Sequence, residues 1–77
     1  MNQSEIFVEW EKLRVEHENA RDAYFKALAC LNQKFAAMGQ GVSNVNPNDS
    51  ELSEFDEAWN AWEDIKNRMY QFAKDNA

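Results

Sequence analysis

Ile6, Trp10, Leu13, His17, Ala20, Tyr24, Leu28, Leu31, Phe35 and Met38 recur at spacings of three and four along the first half of the chain. At about 100° per residue these positions fall within an arc of about 80°, one face of a helix. Charges fill the other sides, with Glu18 to Arg21 and Asp22 to Lys26 in favourable order for pairs along the helix. Asn2 with Glu5 three residues on, or Ser4 itself, supplies the cap at the start. Gly39 and Gly41 end the pattern, because glycine takes the left-handed conformation that closes a helix. An asparagine-rich stretch of turn residues then runs to Pro47. Asn48 with Glu51 has the spacing of a capping box, and Asp49, Glu51 and Glu54 place acids near the positive end of a second helix. That helix carries Leu52, Phe55, Trp59, Trp62, Ile65, Met69, Phe72 and Ala73, again at three and four. Its apolar arc is wider, about 160°, with Lys66 inside it and Tyr70 at one margin. The pattern predicts an all-α fold: one domain over 1–77, an antiparallel two-helix hairpin with a helix over about 3–38, a loop over about 39–48 and a helix over about 49–76.

A single hairpin leaves this pattern unsatisfied. The second arc is too wide for one neighbour, and leaving a large apolar side chain wet forgoes about 1.5–3 kcal/mol. A chain of 77 residues has little core to offset that. Packing two hairpins face to face gives a four-helix bundle and predicts a homodimer. Its core is expected from Trp10, Leu13, His17, Tyr24, Leu31, Phe55, Trp59, Trp62, Ile65, Met69 and Phe72. Phe7 and Phe25 point about 80–100° away from the middle of the first stripe, beside Arg14, Arg21 and Asn32. They either widen the core into a second interface within the bundle or form an aromatic–arginine strip for a foreign protein. The loop from Gly39 to Asn48 is longer than a minimal helix connection and is a further candidate contact.

Charge narrows the partners. Fourteen acids against eight bases give a net charge of −6, which disfavours direct contact with nucleic acid or an anionic membrane. The longest run without a polar residue is Ala27 to Leu31, far short of the roughly 20 residues that span a bilayer. Seven acids and no base lie between Asp49 and Asp64, and Asp56, Glu57, Glu63 and Asp64 share the outward face of the helix. Such a face keeps a protein soluble; it is also the kind of surface that imitates nucleic acid and blocks a basic protein.

Candidate chemistry is sparse, and neither a catalytic residue, a metal site nor a cofactor is expected. His17 is the one histidine, and the residue three before it is Arg14, so the E-x-x-H spacing of di-iron bundles is missing. Arg21, four residues on, removes a second ligand on the same face. His17 therefore reads as a core histidine hydrogen-bonded across the bundle. Lys66 is expected to run its carbon stem over apolar neighbours and deliver its charge to Glu63. Cys30 reads as a small packing residue at the edge of the buried arc. A lone cysteine permits no internal disulfide, and Met1 to Glu5 lacks the basic start of a secretory signal, so a cytoplasmic protein is expected.

In length, hairpin outline and the turn Asn46-Pro47-Asn48, the chain is similar to small secreted helical hairpins, the type III secretion needle subunits and the W-x-G hairpins. No W-x-G occurs, since the turn reads Met38-Gly39-Gln40-Gly41, and no functional residue carries over. That resemblance implies a secreted hairpin subunit. The residues themselves point to a non-enzymatic acidic interaction protein, an adaptor, chaperone-like partner or inhibitor acting as a homodimer. The acidic nucleic-acid mimic is the alternative.

Overall fold

A computed structural model of the chain describes residues 2–41 and 46–77. It contains two helices, α1 over Gln3–Gly39 and α2 over Asp49–Asp75, packed antiparallel into a rod of 59 × 17 × 15 Å. Val42, Ser43, Asn44 and Val45, the middle of the expected loop contact, lie outside the described residues.

Both helices begin as their local chemistry dictates. The Asn2 side chain accepts the Glu5 backbone N–H at 2.8 Å, which settles the first cap on Asn2 rather than Ser4. Asn48 accepts the Glu51 N–H at 2.8 Å, and the Glu51 carboxylate returns to the Asn48 N–H at 3.4 Å, completing the capping box. α1 runs through Gly39, and Gly41 takes a positive φ of 84° just beyond, where a side chain would be strained. The pairs expected along α1 are rearranged. Glu18 reaches back to Arg14 rather than on to Arg21, and Arg21 turns to its neighbour Asp22 at 3.4 Å. Arg14 is fork-shaped and bridges Glu11 and Glu18, one on either side of it, at 3.0 and 2.9 Å.

The core is thin. Among the described residues, Leu13, Leu31 and Ile65 are the buried hydrophobic ones, and Ile65, at 3% exposure, is the most enclosed. Along the seam, Trp10 stacks on Phe72 with centroids 6.2 Å apart, and Tyr24 meets Phe55, Trp59 and Trp62 at 4.9–5.4 Å. Arg68 bonds to Glu16 across the seam at 2.9 Å and Lys34 to Glu51 at 3.0 Å, and these pairs mark the level of one helix against the other. α1 is ten residues longer than α2 (37 against 27) and continues beyond the level of Glu51 at the loop end. Phe35 and Met38 belong to the helical stripe, yet they are exposed because no turn of α2 lies opposite them.

Candidate functional site

The hairpin has two flanks of different chemistry. One carries aromatic rings and cations. Phe25 is half exposed and sits 5.6 Å from Tyr24 and 5.9 Å from Trp62. Beside it on α2 lie Trp59, 43% exposed, and Lys66, whose ammonium stands 4.5 Å from the Trp62 ring centroid and 2.7 Å from Glu63. Towards the open end, Phe7 and Tyr70 are exposed at 63% and 68%. The other flank is a shallow groove of small residues, Ala23, Ala27, Cys30 and Ala58, rimmed by Lys26, Glu54 and Glu57.

Of the residues expected in a dimer core, Leu13, Leu31 and Ile65 are buried within one chain. Trp10, His17, Tyr24, Phe55, Trp62, Met69 and Phe72 are half-buried along the seam, and Trp59 is exposed. The Trp62 Nε1–H donates to His17 Nε2 at 3.0 Å, which ties the two rings together across the seam. Of the acidic set, Asp56, Glu57 and Asp64 are exposed, whereas Glu63 is half-buried and occupied by Lys66. Val8 and Val15, exposed on the side of α1 away from α2, are apolar positions that the stripe analysis passes over.

Cys30 departs from expectation. It is exposed rather than packed, and its thiol donates to Glu51 Oε2 at 3.0 Å while Lys34 holds Oε1. The hydrogen bond to Glu51, followed by burial and the carboxylate's charge, raises the thiol pKa above that of an ordinary cysteine. The same thiol, then Lys34, lowers the Glu51 pKa. A raised pKa leaves less thiolate, and the thiolate is the nucleophile. Alkylation of Cys30 by iodoacetamide at pH 8 is therefore expected to run several-fold slower than that of a free cysteine. Glu51→Gln should recover most of the difference; equal rates in the native and Glu51→Gln proteins would contradict the assignment.

Among the described residues, no three His, Cys, Asp or Glu side chains come close enough to hold a metal ion, and no helix is long and apolar enough to cross a membrane. No buried side-chain polar atom among them lacks a partner. No protein family model, curated protein or solved structure matches the chain.

Proposed function

We propose that this chain is a non-enzymatic interaction protein that works as a homodimer, two hairpins packed into a four-helix bundle whose acidic outer face contacts water. The observation supporting this reading is the amount of surface that one hairpin leaves wet. A globular monomer of this mass exposes roughly 4,850 Å² by the usual size scaling. The hairpin exposes 5734 Å². The excess is of the order of the ~800 Å² that each partner contributes to a standard protein interface. Large apolar side chains are among the exposed residues, Phe7, Phe25, Trp59 and Tyr70 included, and tryptophan and tyrosine are types that dominate association. Polar chemistry for turnover is sparse in the same region: Arg14 and Lys66 are tied to carboxylates of their own helix, and His17 is occupied by Trp62. An adaptor, chaperone-like or inhibitory role follows from a rigid, acidic bundle that offers shape and charge rather than a reactive pocket.

Sedimentation equilibrium is the direct test. The chain is 9.0 kDa, so a dimer of about 18 kDa is expected at micromolar concentration. A particle of 9.0 kDa would refute the reading.

A further inference from the structure

One strip of α1 reads the same from either end. Phe7, Glu11, Arg14, Glu18, Arg21 and Phe25 follow one another at spacings of four, three, four, three and four. At about 100° per residue they occupy an arc of about 80°, beside the seam on the aromatic flank. Reversing the strip about a point midway between Arg14 and Glu18 exchanges Phe7 with Phe25, Glu11 with Arg21, and Arg14 with Glu18. Each acid then falls on a base and each ring on a ring. We infer that this strip is a self-complementary interface. A second copy of the chain docks on it with α1 running antiparallel to α1 about a two-fold axis at that midpoint. The inference rests on the homodimer proposed above and specifies its face and register.

The side chains are available for such a contact. Phe7 and Phe25 are both exposed, and Glu11, Arg14, Glu18 and Arg21 keep between 38% and 48% of their side-chain surface in water. Arg14 already holds both carboxylates of its own helix, so the strip is pre-ordered before the copy arrives. Arg21 reaches Asp22 at 3.4 Å, a weak neighbour contact that leaves its fork open for Glu11 of the second copy. A two-fold contact is isologous, so each complementary pair occurs twice across the axis.

Laying α1 along α2 of the second copy would bring Lys66, already held by Glu63, to the level of Glu18, because the Arg68–Glu16 pair places that part of α2 there. The antiparallel α1 register instead sets every charge of the strip against an opposite one. The alanine groove on the opposite flank has no comparable reversal symmetry.

A charge exchange tests the register. Glu11→Arg with Glu18→Arg makes the strip wholly basic, and Arg14→Glu with Arg21→Glu makes it wholly acidic. Each variant alone is expected to lose at least tenfold in dimer affinity while keeping native helical circular dichroism. Mixed in equal amounts, the two should restore a particle of about 18 kDa as a heterodimer. A native dimer that both variants leave intact, or a mixture that stays at 9.0 kDa, overturns the strip and spares the homodimer. A native monomer overturns both. Cross-linking gives a second readout that does not depend on the charges. On a Cys30→Ser background, a mixture of Phe7→Cys and Phe25→Cys chains should form a disulfide-linked dimer on oxidation. Either chain alone should not, because its two thiols stand about 27 Å apart at 1.5 Å per residue. A disulfide from one variant alone, or none from the mixture, rejects the register.

Discussion

Trp62→Ala is expected to unfold much of the hairpin at temperatures where the native chain is still folded. The indole is the node of the seam: it packs 4.9 Å from Tyr24 and 5.9 Å from Phe25, carries Lys66 on its face, and donates to His17 at 3.0 Å. Truncating a buried aromatic costs about 3–5 kcal/mol, and partial exposure of this one brings the expectation to about 2–4 kcal/mol. His17 Nε2 also loses its donor. In a domain of this size each kcal/mol moves the melting midpoint by about 4–8 °C, so a drop of about 8 °C or more is expected by circular dichroism. Trp62→Phe keeps the ring and loses the donor; it should recover most of the packing but not the hydrogen bond, worth about 1 kcal/mol. A Trp62→Ala melt within a few degrees of native would show that the seam does not depend on this ring.

Ile65→Ala is the second large effect and has a different cause. Ile65 is the most enclosed side chain of the described residues and makes no polar contact, so its loss is cavity formation alone. Isoleucine-to-alanine changes in cores cost about 2–5 kcal/mol, with the spread set by how far the neighbours collapse. Two helices side by side collapse easily, which favours the lower half of that range. Urea denaturation should show a lower midpoint with little change in slope, because the surface exposed on unfolding is nearly the same. Because the proposed dimer binds only folded chain, its midpoint should also rise with protein concentration. A loss of unfolding free energy below about 0.5 kcal/mol would place the core elsewhere.

How much of this was legible in the sequence differs from residue to residue. The Asn48–Glu51 box is visible because capping is a contact between residues three apart, and the structure forms it at 2.8 Å. Lys66 and Glu63 pair as their spacing predicts, and the expected cross-seam bond of His17 is made, to Trp62. The packing expected of Cys30 fails because its partner, Glu51, is 21 residues away, and only the relative level of the two helices brings them together. The Glu18–Arg21 pair failed for a local reason that spacing alone does not resolve: Arg14 competes for the same carboxylate from the preceding turn. Phe35 and Met38 have the right period for a buried face, but period carries no information about where the opposite helix begins.

The chain alone determines two amphipathic helices, their starts and stops, and the face each turns inward. These depend on contacts three or four residues apart and on a rotation of about 100° per residue, both local quantities. The tertiary structure decides the offset between the helices and hence which rings remain wet. It divides the hairpin into an aromatic flank and an alanine flank, and it leaves Phe25, against Trp62, and Trp59 both exposed. That outcome follows from unequal helix lengths and from long-range packing such as Trp10 on Phe72 and Tyr24 on Trp62, whose partners meet only after the chain has turned back on itself.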